Sequence, residues 1–365
     1  MGSNLLILFA TSFLLQLPQS TSRPNRTLPQ RDSIESEDDQ GAGIAYERLS
    51  DALGYNRVQG LSIGAGYRLP AASQTHLYTT VRYGLSDDRI TGRISLVHHA
   101  GRTRYSLSGY DDIADVDPFA NGESLNNSVN ALFAGHDNGD YLLAQGGTVS
   151  VETELDPTLE LVVTARVERE RSVTRAAISA INDFLGGSGE FPPNPAITEG
   201  TFSVFSAGIT GLRRTRWKVV LELLAGPVPA IPRMHAEVRR SLGWHRGIVL
   251  HLKGGIGTQP SQPQMLFRLG GLSTVRGFEY GTLRGPSFWS AQLDVTPLRG
   301  RIRPVVFIDA GQAAEPSSLF SSSALVGAGA GLSLLSGLIR LEFSRPVSPD
   351  IGGKIRFDLV VEAGR

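Results

Sequence analysis

The run Thr158–Glu170, "TLELVVTARVERE", puts Leu159, Leu161, Val163, Ala165 and Val167 on one side and Glu160, Thr164, Arg166 and Glu168 on the other. Alternation with a period of two marks a β-strand, because successive side chains point to opposite faces of a sheet. One face is apolar and the other is charged. The same device returns in "SGLIRLEFSRP" (336–346), where Ile339, Leu341 and Phe343 alternate with Arg340, Glu342 and Ser344. It returns again in "GGKIRFDLVVEAG" (352–364), with Ile355, Phe357 and Leu359 set against Lys354, Arg356 and Asp358.

A soluble sandwich also alternates, so alternation alone does not choose the architecture. Length and repetition do. These runs recur from residue 58 almost to the end of the chain, with no amphipathic helix to form a second layer. Many of them reach the roughly 9–11 residues that a strand needs to cross a bilayer. The expected fold is all-β: a transmembrane antiparallel β-barrel of about sixteen strands, apolar side to lipid and polar side to the lumen. The candidate strands begin with 59–69 and end with 353–363, and 127–135 is the fifth. With both termini in the periplasm, segments 171–200 and 260–286 become extracellular loops, while 111–126 is left as a long periplasmic connection. Closure requires 59–69 to pair with 353–363, since every lipid-facing backbone group must be bonded within the protein.

Composition narrows the function. Lys plus Arg and Asp plus Glu both number 35, so nothing draws the chain to nucleic acid, and none is expected as a partner. There is no cysteine, which excludes disulfide frameworks, thiol nucleophiles, cysteine zinc clusters and a lipoprotein anchor. Leu5–Leu15 is an apolar run of signal-peptide length, followed by the small residues Ser20 and Ser22. The expected organisation is a signal peptide at 1–22, a periplasmic linker at 23–57 carrying the acidic run "DSIESEDDQ", and an outer-membrane barrel at 58–365.

Between the eleventh and twelfth candidate strands lies "LGGLSTVRGFEYGTLRG" (269–285), rich in glycine and carrying two arginines. Together with "FIDAG" (307–311) it resembles the outer-membrane assembly and translocation barrels of the BamA/TamA type, the bacterial surface antigen family. In that family a long extracellular loop folds back into the lumen with a V-R-G-F/Y tip, which Val275, Arg276, Gly277 and Phe278 match. The likeness continues through "SFWSAQLDVTPL", "RPVVFIDAGQ" and "KIRFDLV", and "YNRVQGLSIGAGYRL" (55–69) is similar to a first-strand signature of some members. An arginine in a lumen needs a partner, because a charge leaving water is costly unless it is paired and hydrogen-bonded. Asp294 and Asp309 face the lumen by alternation, and a guanidinium can hold a carboxylate through two parallel donors.

The resemblance implies more. Gly352, Ile355 and Phe357, after Asp350, follow the order of the family's C-terminal insertion signal, which outer-membrane assembly machinery reads by pairing with the edge strand. Expected partners are outer-membrane lipid, that machinery, and unfolded outer-membrane or secreted polypeptides as cargo. Segment 23–57 is too short to hold a POTRA domain, so insertion or translocation stands beside a second possibility, a passive pore or structural barrel. An enzyme is not expected, nor any cofactor or metal. "GLSIG" (60–64) matches G-x-S-x-G but lies in an alternating run without the following helix that a nucleophile elbow needs. "GAGAGLSLL" (327–335) lacks the helix of a dinucleotide site and reads as a glycine-rich strand where the barrel bends.

Overall fold

The computed structural model describes residues 41–361, apart from 47, 120–121, 214, 228, 243–246, 259–261, 299, 336–337 and 348–352. The signal-peptide reading of 1–22, and Gly352 of the insertion signal, lie outside the described residues.

The described residues open with Gly43–Ile44 (β1), a helical turn Leu49–Ala52 (α1) and Leu53–Asn56 (β2). Gly60–Ala72 (β3), Thr75–Gly84 (β4), Arg89–Ala100 (β5), Thr103–Asp115 (β6), Tyr141–Asp156 (β7) and Leu159–Ser172 (β8) follow. The central strands are Gly200–Leu212 (β9), Thr215–Ala225 (β10), Ile231–Leu242 (β11) and Ile248–Gly257 (β12). Two short strands, Phe267–Leu269 (β13) and Leu283–Gly285 (β14), pair only with each other. Ser287–Val295 (β15), Arg303–Ala314 (β16), Leu325–Leu334 (β17), Ile339–Pro346 (β18) and Arg356–Val361 (β19) complete the sheet.

Every ladder is antiparallel, and sequential strands pair in order from β3 through β12 and from β15 through β19, with β12 beside β15. β1 and β2 both pair with β3, Gly43 opposite Arg68 and Asn56 opposite Gly60, so together they form one strand broken by α1. Counted so, the described residues form a sheet of sixteen strands, reached by a different route from the sequence reading. The first strand lies at 43–56, inside the segment read as linker, where α1 interrupts the alternation. Segment 127–135 is not a strand. Ser124 caps a helix, its side chain accepting from the Asn127 N–H at 3.1 Å, and Leu125–Val129 (α2) runs on into a π-helical turn, Asn130–Ala134. Gly135, at φ 75°, ends it. The alternation in "NSVNALFAG" is short enough to fit either state, and tertiary hydrogen bonds to its asparagines select the helix.

This exchange settles the connections. The long ones, 116–140, 173–199 and 258–286, now share one end of the sheet, and the other end carries the short turns. The expected closure is also corrected: β3 is occupied on both edges by β2 and β4, and among the described residues no ladder joins β19 back to β2.

The faces are inverted relative to a soluble protein. Leu107, Val167, Leu221, Ile308 and Phe343 are about half exposed, whereas Arg82, Glu160, Glu168, Glu170, Lys253 and Glu342 are buried. Apolar side chains outside and charges inside form the pattern of a barrel with lipid for its outer solvent. No helix among the described residues is long and apolar enough to cross a membrane.

Candidate functional site: a lumenal loop and an unpaired seam

The connection 258–286 turns back inside the barrel. The β13–β14 hairpin holds its base, with Phe267 opposite Gly285. Its neck is held by Gly271 N–H donating to Phe278 O at 3.0 Å and by Lys253 Nζ donating to Ser273 O at 2.7 Å. Val275 and Phe278, on either side of the tip arginine, are buried in an apolar cluster with Phe119, Phe267, Leu269 and Phe288. Burial of these side chains seats the tip, while the arginine between them points the other way, into charge.

Arg276 is 5% exposed and Asp309 is 1% exposed. The guanidinium meets Asp309 through two parallel bonds, Nε to Oδ2 and Nη2 to Oδ1, both 2.7 Å, and its own main-chain N–H donates to Oδ2 at 2.9 Å. Nη2 also donates to Asp294 at 2.6 Å and Nη1 to Glu342 at 3.3 Å. Its carbon lies 3.7 Å from the centroid of the Phe307 ring, close enough for a cation–π contact. Arg340 bridges Asp294, at 3.0 Å, and Glu342 from the far side. Three carboxylates and two guanidiniums thus form one buried network on β15, β16, β18 and the loop. Burial opposes the charge on Arg276, yet Asp309 and then Glu342 outweigh it and hold the guanidinium well above its ordinary range.

Glycine makes room for this. Gly277 has φ 92°, a region that other residues adopt only with strain, and a side chain there would strike the backbone of Arg345. A Cβ on Gly327 would lie 1.9 Å from the Arg276 carbonyl oxygen, so the glycine run of β17 gives clearance for the loop tip.

A second set of contacts ties the loop to the 116–140 connection. Arg268 Nε donates to Asp140 at 2.6 Å, while Arg57, in the turn between β2 and β3, meets Asp137 of the same connection at 3.2 Å. Tyr280 Oη donates to Asp117 at 3.3 Å, and burial raises both that phenol and that carboxyl, Arg268 opposing the shift at Asp117.

Sequence reasoning missed Glu342, Arg340 and Phe307 as members of the site. Alternation puts all three on the lumenal face, but β17 separates β16 from β18, and only curvature brings Glu342 to the same arginine. Ile355 is exposed, just before β19, and Phe357 packs against Phe343 at 5.2 Å between centroids. Ser62 of "GLSIG" is buried within β3, so the segment is strand and not a strand–turn–helix elbow.

The seam is the other notable feature. The helical segment 125–134 lies between the two strand edges left without a ladder. Tyr55 N–H, on β2, donates to Ser128 Oγ at 3.0 Å. On β19, Leu359 N–H donates to Asn130 Oδ1 at 2.9 Å, Asn130 Nδ2 donates to Leu359 O at 2.6 Å, and Val361 N–H donates to Asn126 Oδ1. His136 Nδ1 lies 2.9 Å from Asp358 Oδ1.

Fold and site together define an antiparallel β-barrel with an inward-folded loop clamped by an arginine–carboxylate network. Residues 234–357, which contain the loop and most of its partners, match the Omp85 superfamily domain. Residues 33–191 match the C-terminal domain of DUF5686, a family of unknown function. No curated protein matches the chain. Among solved structures it is similar to BamA from Haemophilus ducreyi lacking POTRA domains 1–3, with a TM-score of 0.55 and 15% identity over 84% of this chain and 68% of that one. CdiB from Acinetobacter baumannii aligns with a TM-score of 0.49 and 14% identity, over 84% of this chain and 57% of that one. At such identity the likeness to BamA establishes the fold alone.

Proposed function

We propose that this protein is an outer-membrane barrel that passes polypeptide segments or lipid into or across the membrane through the seam between its first and last strands. The observation that carries the reading is the seam itself: the β2 and β19 edges face a helix in place of a strand. A barrel held by a continuous ladder has no edge to offer, whereas one interrupted in a single place can open there at the cost of a few side-chain bonds. The clamped loop supports the same reading, since Arg276 joins β15, β16 and β18 and stiffens the sheet beside the seam. The Omp85 domain supports the outer membrane as the location and assembly machinery as a partner. The long connections then face the cell exterior and the short turns the periplasm.

The test is reconstitution. Vesicles containing the protein should speed the folding of a urea-denatured outer-membrane barrel added from outside, relative to empty vesicles. In planar bilayers the protein should give small, erratic currents, because the loop folds into the lumen and obstructs it. A steady large conductance with no effect on client folding would establish the passive pore instead.

A further inference from the structure

We propose that the helical segment 125–134 is a displaceable latch, whose asparagine side chains stand in for the peptide groups of a β-strand, and that an extended polypeptide segment takes its place on β19. This deepens the seam reading and rests on it.

The chemistry is direct. An asparagine side chain ends in a primary amide, the same donor and acceptor pair as a backbone peptide. Asn130 exchanges two hydrogen bonds with one residue, giving Nδ2–H to Leu359 O and taking Leu359 N–H on Oδ1. Directly opposed residues make that reciprocal exchange in an antiparallel ladder. Asn126 then receives the next N–H on the same edge, that of Val361. The register works because four residues of helix rise about 6 Å and two residues of strand rise about 6.7 Å. Helix and strand run in opposite directions, 126 beside 361 and 130 beside 359.

The other side of the wedge follows from helical geometry. At 3.6 residues per turn, Asn126 and Asn130 share one face and Ser128 lies nearly opposite. That is where Ser128 Oγ accepts the Tyr55 N–H of β2. One short helix thus satisfies both edges, and it does so with few bonds. The π-helical turn begins at Asn130 itself, whose Nδ2 also donates to Asn126 O at 2.8 Å, so the amide is aimed by a local irregularity in the helix. An incoming strand would offer an N–H and a C=O at every second residue along the whole edge, where the latch offers two amides. It therefore competes by number of bonds, and it must be extended, because only an extended chain presents donors at the spacing of the β19 edge.

The absence of native cysteine allows a clean experiment. The probe is a synthetic nine-residue peptide of alternating apolar and polar residues, compared with the same peptide N-methylated at alternate backbone amides. Its binding to the purified barrel in detergent is measured together with hydrogen exchange at the Leu359 and Val361 amides. Asn126→Leu/Asn130→Leu keeps the branched shape and removes the amides. We expect exchange at 359 and 361 to rise at least about tenfold while β8 and β9 stay protected, and the unmethylated peptide to bind at least about tenfold tighter. In a second variant, His136→Cys/Asp358→Cys, the two positions are joined by a short reducible thiol cross-linker. Joined, the barrel should not bind the peptide; reduced, the same molecules should bind it. Equal binding in the joined and reduced states would overturn the proposal, as would equal binding of the methylated peptide. None of these readouts requires client insertion. A latch that behaves as described in a barrel without effect on client folding would refute the proposed function and leave the latch standing.

Discussion

Arg276→Ala should be the most damaging single change in the lumen. It removes both guanidinium bonds to Asp309, leaving that 1%-exposed carboxylate with only the main-chain N–H at position 276. Asp294 and Glu342 keep Arg340, so the uncompensated charge falls on Asp309. Charge-assisted bonds contribute about 1.5–3 kcal/mol each, and removing one partner of a buried pair costs about 3–5 kcal/mol, so we expect a loss of about 3–5 kcal/mol. In urea unfolding followed by tryptophan fluorescence, with a slope of about 3 kcal/mol/M, the midpoint should fall by about 1–1.7 M. Asp309→Asn keeps the shape and an acceptor, and roughly halves the strength of the remaining bonds. The double mutant should be scarcely worse than Arg276→Ala alone, since partners in one network are non-additive by about 0.5–3 kcal/mol. The coupling should persist at high salt, because screening acts weakly on a pair this buried. Strictly additive losses, or an unchanged rate of protease cleavage in 258–286 for Arg276→Ala, would refute the clamp.

Leu221→Arg, on the outer face, should lower the folded yield in membranes by an amount equivalent to about 2–4 kcal/mol, whereas Arg166→Leu in the lumen should be milder; equal effects on gel heat-modifiability would mean that the faces are assigned wrongly. Gly327→Ala should expel the loop tip and speed its proteolysis, because the new methyl would overlap the Arg276 carbonyl, while Gly109→Ala, with nothing closer than 3.8 Å, should be silent in the same assay. Phe184→Cys, at a position 88% exposed on the 173–199 connection, should react with an impermeant maleimide on intact cells, and Pro157→Cys in the β7–β8 turn should not. Reversed labelling would invert the proposed orientation.

The sequence by itself determined what is local and periodic. Runs such as Thr158–Glu170 carry their two faces in their own order, so strand type, the inward set of charges and the membrane architecture could all be read without coordinates. So could the candidate partners of Arg276 among the aspartates, because alternation fixes which side chains face inward. Tertiary structure decided whatever depends on which edges meet. The count of sixteen was reached from sequence with 127–135 included and 43–56 left out, and the fold exchanges them: a strand broken by a helical turn loses its period, and a short polar segment becomes helix when Asn126 and Asn130 find partners distant in sequence. Glu342 joined Arg276 for the same reason, since the contact reaches across an intervening glycine strand whose clearance depends on curvature and not on pattern. Period reports the direction of a side chain, and only closure of the sheet around a loop and a helix decides what it touches.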